Sequence, residues 1–244
     1  MIEFKHISKI YDQKEALSDL NLTINDGEIF GLLGHNGAGK TTTLSILTSI
    51  IEASYGDVLV NGQLLSDNRD AIKKQIGYVP DSPDVFLNLT ANEYWHFLAK
   101  IYNVPAQIAE ERISELSELF DIKHDINSTI DSFSHGMRQK TIVIGALISN
   151  PAIWVLDEPL TGLDPQAAFD LKAMMREHAD SGNIVLFSTH VLSVAEQLCD
   201  RLAILKQGKL IFLGTLNQLK ENYPDKDLET IYLELAGRNA KEED

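Results

Sequence analysis

The chain has 244 residues, enough for one large domain or two small ones with a sizeable hydrophobic core. Its formal net charge of -15 argues against nucleic acid as the main partner, because nucleic-acid phosphates would repel such a surface. The single cysteine, Cys199, cannot form an internal disulfide, which is typical of a reducing cytosol. No apolar stretch approaches the roughly 18 residues that span a bilayer, and the first residues hold no apolar signal region, so we expect a protein that is soluble by itself.

Apolar residues alternate along two segments near the N-terminus, and this pattern predicts two strands joined by a polar turn within residues 1–27. Tyr11 lies just before that turn, where core packing, the turn itself or stacking on an adenine ring could each explain an aromatic side chain. Residues 28–33 are a short apolar run, which is typical of a buried strand.

Residues 34–42 carry the phosphate-loop pattern G-x-x-x-x-G-K-[ST] directly after this strand. Apolar residues at helical spacing follow, so the motif has the context of strand, glycine loop and helix that it requires. Backbone N–H groups and the helix N-terminus would bind phosphates, Lys40 would reach the β- and γ-phosphates, and Thr41 would offer its hydroxyl to Mg²⁺. The alternative is a glycine-rich turn with an ordinary lysine, which the flanking elements disfavour. The candidate nucleotide-binding residues of the loop are Gly34, His35, Asn36, Gly37, Ala38, Gly39, Lys40, Thr41 and Thr42.

The next segment, up to residue 149, predicts short elements and then a helical insertion. Residues 57–60 predict a strand that ends in an Asn-Gly hairpin turn, followed by a short helix over 70–75 and a strand over 76–80. Thr90 and Glu93 form a capping box before an aromatic-rich helix, and an acidic amphipathic helix follows Pro105. With a further helix over 135–149, we expect an inserted helical subdomain at about residues 83–149.

Two carboxylates, Asp157 and Glu158, follow the apolar run 153–156, which predicts a parallel strand buried on both faces. Ligands gather at the carboxyl ends of strands in an open α/β sheet, so this pair is the natural partner of the phosphate loop. Asp157 would bind Mg²⁺, and Glu158 would orient and deprotonate the attacking water. An exposed acidic turn is the alternative. His190 follows the next predicted strand, 184–188, and could donate to the γ-phosphate, although a lone histidine is more often structural.

Strands and helices continue to alternate up to the C-terminal region, with strands near 203–206 and 210–212 and a helix from Thr215. The sequence therefore predicts an α/β fold of the P-loop NTPase (RecA-like) type. An antiparallel β subdomain is expected at its N-terminal side, beside the inserted helical subdomain.

These motifs together resemble the nucleotide-binding subunit of an ATP-binding cassette (ABC) transporter, and the resemblance covers nearly the whole chain. Residues 133–139, Phe-Ser-His-Gly-Met-Arg-Gln, are similar to the family signature at a helix N-terminus, with Ser134 and Gly136 kept. The resemblance identifies Leu163-Asp164 as the loop after the catalytic glutamate, His190 as the switch histidine and Tyr11 as the adenine-stacking residue. It implies an ATPase with ATP and Mg²⁺ as cofactors, one ABC ATPase domain over residues 1–232 and a tail over 233–244.

The sequence departs from the family pattern in two places. In the signature, His135 and Met137 replace a glycine and a glutamine, and His135 could face either a phosphate bound by a second copy or solvent. Asp81 stands where the family commonly has glutamine, although some export-type branches carry an acidic residue there. Its carboxylate could reach Mg²⁺ or the water, but it also brings a negative charge towards the phosphates, so its role stays open.

The resemblance implies a head-to-tail dimer, of two identical copies or with a related subunit. Each ATP would lie between the phosphate loop of one copy and Ser134 and Gly136 of the other. It also implies a separate integral membrane permease, with this chain in the cytoplasm at the inner face of the membrane. Phe86 and Trp95 resemble the face that docks the permease, although packing within the helical subdomain explains each equally well. The segment 228–235 resembles the C-terminal box of export-type subunits, which favours export.

A soluble member of the same superfamily that acts on ribosomes or DNA is the alternative. Translation factors of that kind carry two cassettes, whereas this chain has one phosphate loop. Residues 43–133 leave no room for the long coiled coil of chromosome and repair members, and the acidic balance disfavours both. A regulatory subunit that does not hydrolyse ATP is a further alternative, which the presence of Lys40, Asp157, Glu158 and His190 disfavours.

Overall fold

Two β-sheets organise the chain in this computed structural model, which describes residues 1–223, 226 and 228–235. The strands of the described part are β1 (Ile2–Tyr11), β2 (Lys14–Ile24), β3 (Ile29–Leu33), β4 (Tyr55–Val60), β5 (Gln63–Leu64), β6 (Ile76–Val79), β7 (Ile153–Asp157), β8 (Ile184–Thr189), β9 (Arg201–Lys206) and β10 (Lys209–Gly214). Its α-helices are α1 (Lys40–Leu47), α2 (Arg69–Lys73), α3 (Ala91–Ile101), α4 (Ala106–Leu119), α5 (His135–Leu147), α6 (Pro165–Asp180), α7 (Leu192–Leu198), α8 (Leu216–Asn222) and α9 (Leu228–Leu235).

The larger sheet has the strand order β10-β9-β3-β8-β7-β6, in which all neighbours are parallel except the β10-β9 pair. Strands β3, β7 and β8 are buried along their whole length, which explains their continuous apolar sequence. Their carboxyl ends meet at one edge of the sheet, with Leu33 opposite Thr189 and Asp157 opposite Ser188. The phosphate loop and both candidate carboxylates therefore lie at the same edge.

The smaller sheet is antiparallel, with the order β2-β1-β4-β5. Its inner face packs on α1 and on one side of the larger sheet in a continuous apolar cluster. The predicted hairpin after residue 60 is confirmed by the pairing of Val60 with Gln63. The predicted α/β fold, with antiparallel strands at its N-terminal side, is thus confirmed.

The helical subdomain is built from α3, α4 and α5, which pack on the other side of the larger sheet. Thr90 and Glu93 form the predicted capping box at the start of α3. Trp95 is 0% exposed, and its indole N–H donates to the backbone oxygen of Thr141 at 2.9 Å. Placing Trp95 on a docking face is therefore wrong, because the amphipathic face that carries Trp95 is turned inward to the core. Phe86, in contrast, is 49% exposed.

The C-terminal helices α8 and α9 pack against α7 and the end of β3 in a third apolar cluster. Helix α9 runs across residue 232, where the sequence placed the end of the ATPase domain. Residues 241–244, which the sequence predicts to be disordered, lie outside the described residues. Along the described part of the chain, no helix combines the length and the apolar character that crossing a bilayer requires.

Candidate nucleotide site

The phosphate loop connects β3 to α1, and glycines allow its path. Gly39, the residue before α1, has a φ of 112°, in the left-handed region that favours glycine. A Cβ on Gly39 would come within 2.9 Å of the Ala16 backbone oxygen, and a Cβ on Gly34 within 2.8 Å of the Leu205 oxygen. Both glycines are thus required by the close approach of neighbouring strands, as well as by the turn.

Lys40 places its ammonium group between the loop and the carboxylate of Glu158. The lysine is only 6% exposed, and its Nζ donates to the backbone oxygen of Gly34 at 2.6 Å. The same atom lies 3.3 Å from Glu158 Oε1 and 3.5 Å from the His35 backbone oxygen. A buried ammonium requires such oxygen partners, and it is available for the charged oxygens of a phosphate at this point.

Asp157, at the end of β7, is buried and bonded to the neighbouring strand. The Ser188 hydroxyl donates to Asp157 Oδ1 and accepts from the Glu158 N–H at 3.1 Å. Burial raises the pKa of the Asp157 carboxyl, an effect that the hydroxyls of Ser188 and Thr41 oppose by hydrogen bonding to the carboxylate. Negative charge on Asp81 and Glu158 raises the Asp157 pKa further. A cation at this carboxylate would relieve the cost of its burial.

The donor set around Asp157 fits Mg²⁺. Asp157 Oδ2 is buried and has no hydrogen-bond partner within the described part of the chain. The Thr41 hydroxyl is near enough to lower the pKa of the same carboxyl, and hard oxygen donors of this kind are those that Mg²⁺ prefers. No three His, Cys, Asp or Glu residues among those described are grouped to hold a metal ion. Mg²⁺ in nucleotide sites is usually bound by one or two protein ligands together with water and phosphate oxygens, and Thr41 and Asp157 suit that role.

Glu158 is held from two sides by charged or polar groups. Its side chain is 12% exposed, with Oε1 near Lys40 and Oε2 3.0 Å from His190 Nδ1. Its backbone has a φ of 49°, a left-handed conformation that non-glycine residues rarely adopt. Such strain persists only where the surroundings fix the residue, and it commonly marks a functional position. The arrangement can orient a water molecule and accept its proton.

A cleft of about 420 Å³ lies beside these groups, within the usual size range for small-molecule sites. Tyr11 stands exposed at its rim, with Lys9 Nζ 5.1 Å from the centre of the Tyr11 ring. The sequence-predicted residues that line the cleft are Tyr11, His35, Asn36, Gly37, Gly39, Lys40, Thr41, Thr42, Asp81 and Glu158. The strand ends thus bring together nearly all the residues predicted for one nucleotide.

Among the predicted residues that do not line the cleft, Ser134 and Gly136 lie at the start of α5, whereas Gly34, Ala38, Asp157 and His190 adjoin residues that do line it. The Ser134 hydroxyl caps α5 by accepting from the Met137 N–H at 3.3 Å. The His135 ring covers Gly162, where a Cβ would come 2.2 Å from His135 Cδ2. His135 is exposed, as the solvent-facing alternative expects, and its ring also contacts Gly162 of its own chain.

Two site residues, Ser188 and Lys140, were not predicted from the sequence. Ser188 bridges the two carboxylates, and the signal for it is its place at the end of β8, one strand along from β7. Lys140, on α5, forms an ion pair of 2.9 Å with Asp164, the residue that caps α6. This pair ties the signature helix to the loop after Glu158, and its spacing of 24 residues gives no sequence signal.

The fold and this site define a nucleotide-hydrolysing protein with a P-loop core, an antiparallel sheet and a helical subdomain. The model of the ABC transporter family matches residues 17–161, more than half of the chain. The chain belongs to the ABC transporter family. It is 32% identical to the ABC-type transporter ATP-binding protein EcsA of Bacillus subtilis (strain 168), over 100% of this chain and 99% of that protein.

Solved structures agree with this assignment. The structure of an ATP binding subunit of an ABC transporter matches with a TM-score of 0.91 and 32% identity, over 96% of this chain and 99% of that one. A dimeric, post-hydrolysis ATP-binding cassette bound to ADP and Pi matches with a TM-score of 0.80 and 25% identity, over 88% and 99%. The protein is therefore an ABC-type ATPase, as its sequence predicts.

Proposed function

We propose that this ATPase powers a separate membrane permease, in the direction of export, by forming a head-to-tail dimer on ATP. The observation that carries the proposal is the division of the site within one chain. Lys40 and Glu158 line the cleft and Asp157 directly precedes Glu158, whereas Ser134 lies at the N-terminus of α5 and does not line the cleft. A second copy would bring its Ser134 to the phosphates of the first.

In each copy, the loop residues and Lys40 would bind the β- and γ-phosphates, and Tyr11 would stack on the adenine ring. Thr41 and Asp157 would hold Mg²⁺, with Asp81 close enough for its charge to act on the same group. When bound, Mg²⁺ neutralises negative charge on the phosphates. The buried Oδ2 atom of Asp157 supports this assignment, since it has no partner among the described residues.

Glu158 would orient the attacking water and accept its proton, with the Lys40 ammonium 3.3 Å from its carboxylate. General-base catalysis of this kind contributes about 10²–10⁴ in rate, or roughly 3–5 kcal/mol of barrier. His190, within 3.0 Å of Glu158, would hold the glutamate and donate to the γ-phosphate.

The N-terminus of α5 would provide the second half of the phosphate site in the dimer. Ser134 and the backbone N–H of Gly136 lie at the positive end of the helix dipole, which favours an anion. One chain alone offers only its own cleft to ATP, so closure of the dimer depends on the γ-phosphate, and hydrolysis loosens it. ATP thereby shifts the equilibrium between the open and the closed state of the dimer.

The permease would dock on the helical subdomain beside an exposed aromatic cluster. Phe86 is in ring contact with Phe97 at 5.6 Å and with Tyr94 at 5.4 Å, and both phenylalanines are exposed. Ile101, also exposed, lies on the same helix as Phe97. An apolar patch of this kind suits a short segment of a membrane protein on the cytoplasmic side. The chain would then be peripheral at the inner face of the membrane.

The dimer is tested by sedimentation of the Glu158→Gln variant with and without Mg-ATP. We expect a dimer with ATP, and its loss when Ser134→Ala is added. The matched control is Thr90→Ala, because Thr90 caps α3 as Ser134 caps α5 but belongs to a different helix from the signature. The proposal would be contradicted if Ser134→Ala and Thr90→Ala, each added to Glu158→Gln, reduced the dimer equally. It would also be contradicted if neither double variant formed a dimer.

The permease is tested by purification of the tagged chain from membranes. We expect a multi-spanning protein to copurify, and its amount to fall with Phe86→Ala. Recovery with ribosomes or DNA instead would favour the soluble alternative.

A further inference from the structure

Helix α9 contacts the phosphate loop through the ring of Tyr232. Tyr232, on this helix, is 7% exposed, and its ring meets the His35 ring edge-on, with centroids 4.9 Å apart and planes at 66°. Burial raises the pKa of the Tyr232 hydroxyl, and the nearby backbone N–H of His35 opposes that rise. His35 is the second residue of the loop and also lines the cleft. One residue therefore touches the cleft and the C-terminal helix together.

His35 is connected to the parts of the loop that bind phosphate. Its backbone oxygen accepts from the Ala38 N–H at 3.0 Å and lies 3.5 Å from Lys40 Nζ. The position of His35 therefore sets the turn of the loop and one oxygen partner of the functional lysine. Any contact that fixes His35 also reduces the freedom that the loop must lose when it binds ATP.

Helix α9 is itself anchored to the core. Leu228 and Ile231 are buried in a cluster that includes Leu33, the last residue of β3 before the loop. At the other end of the helix, Lys206 Nζ donates to the Leu235 backbone oxygen at 3.2 Å. Tyr232 is thus presented to His35 by a helix that is held at both ends.

We propose that Tyr232 is a positioning residue for nucleotide binding, which acts through His35 to preorganise the phosphate loop. The proposal rests on ATP binding at the cleft and is independent of the dimer and the permease. By linkage, ATP that orders the loop must also stabilise α9 against opening. The packing of helix α9 therefore affects the affinity of the cleft for ATP.

The test compares the ATPase kinetics of the Tyr232→Ala and Tyr232→Phe variants with those of the wild-type chain. We expect Tyr232→Ala to raise the KM for ATP about three- to tenfold, the effect of one ring contact or one hydrogen bond, with kcat unchanged. Tyr232→Phe keeps the ring and loses the hydroxyl, so a smaller rise is expected. The matched control is Leu219→Ala, a buried residue of the same cluster on α8, which should lower thermal stability but leave the KM unchanged.

A double-variant cycle tests whether the effect passes through His35. If it does, Tyr232→Ala adds little to the KM of His35→Ala, and amide exchange of residues 228–235 slows when ATP is added to the wild-type chain. The proposal is overturned if Tyr232→Ala leaves the KM unchanged, if Leu219→Ala raises it equally, or if the two effects simply add. A wild-type chain that binds no ATP would instead refute the proposed function.

Discussion

The Ser188 hydroxyl donates a hydrogen bond to the Asp157 carboxylate, across the pairing of β7 with β8 that sets these two residues opposite each other. The same oxygen accepts from the N–H of the next residue, Glu158. One buried hydroxyl therefore fixes the side chain of the candidate metal ligand and the backbone of the candidate base. The two carboxylates depend on β8 as much as on the strand that carries them.

Replacing Ser188 with alanine tests this dependence. The change leaves Asp157 Oδ1 and the Glu158 N–H without their partner, at about 1–3 kcal/mol for each buried polar group. We expect a lower free energy of unfolding by denaturant and a lower kcat for ATP hydrolysis. Ser117→Ala is the control, because Ser117 is also buried and its hydroxyl donates to the Ser114 backbone oxygen within α4. A Ser188→Ala enzyme with wild-type kcat would contradict the proposed role.

Because the pKa of Asp157 is raised, we expect the free energy of unfolding to depend on pH. Its pKa in the folded chain lies above the unfolded value of about 3.9, so the folded state retains a proton that the unfolded state loses. Stability from this group is therefore present at low pH and falls as the pH rises from about 3.9 through the folded pKa. Asp157→Asn removes the effect, so we expect its advantage in thermal stability over wild type to grow with pH when Mg²⁺ is absent.

Asp164→Asn provides a control of opposite sign for this measurement. The Ala167 N–H and then the Lys140 ammonium lower the pKa of Asp164, so its stabilisation is present above the unfolded pKa and is lost as the pH falls through the folded pKa. Its asparagine variant should lose stability at neutral pH and approach wild type in acid. If the two variants shift stability in the same direction across this range, the burial argument for Asp157 is wrong.

The Glu158→Gln variant separates ATP binding from hydrolysis. Glutamine keeps the shape of the side chain but cannot accept the proton of the attacking water, so we expect kcat to fall about 10²–10⁴-fold while ATP still binds. Phosphate release and equilibrium binding of ATP measure the two effects. Retained hydrolysis at the wild-type rate would remove Glu158 from the role of general base.

Trp95 and Phe86 are predicted to differ in what their loss affects. Trp95→Ala leaves a cavity in the core of the helical subdomain, so we expect a loss of about 3–5 kcal/mol in the free energy of unfolding. Phe86→Ala changes an exposed side chain and should leave the stability and ATPase activity of the isolated chain nearly unchanged. Chemical denaturation and ATPase assays of both variants check this. Equal destabilisation by the two changes would show that Phe86 also belongs to the core.

Much of the candidate site could be predicted from the sequence because its residues follow patterns that are local in the chain. The glycine loop is contiguous, and Asp157 and Glu158 directly follow four apolar residues. Ser188 was not predicted, because it acts through strand pairing, which the sequence does not specify. The sequence does not decide whether Trp95 docks a partner or packs in the core, since an amphipathic helix can turn its aromatic face to either. The contact of Tyr232 with His35 joins residues 197 positions apart and depends on how the C-terminal helix packs.

The central claim, that ATP lies between two copies of this chain, is tested most directly by a crystal structure of the Glu158→Gln variant loaded with Mg-ATP. We expect each nucleotide to contact Lys40 of one copy and Ser134 of the other. A loaded crystal in which Ser134 faces solvent in every assembly would contradict the claim.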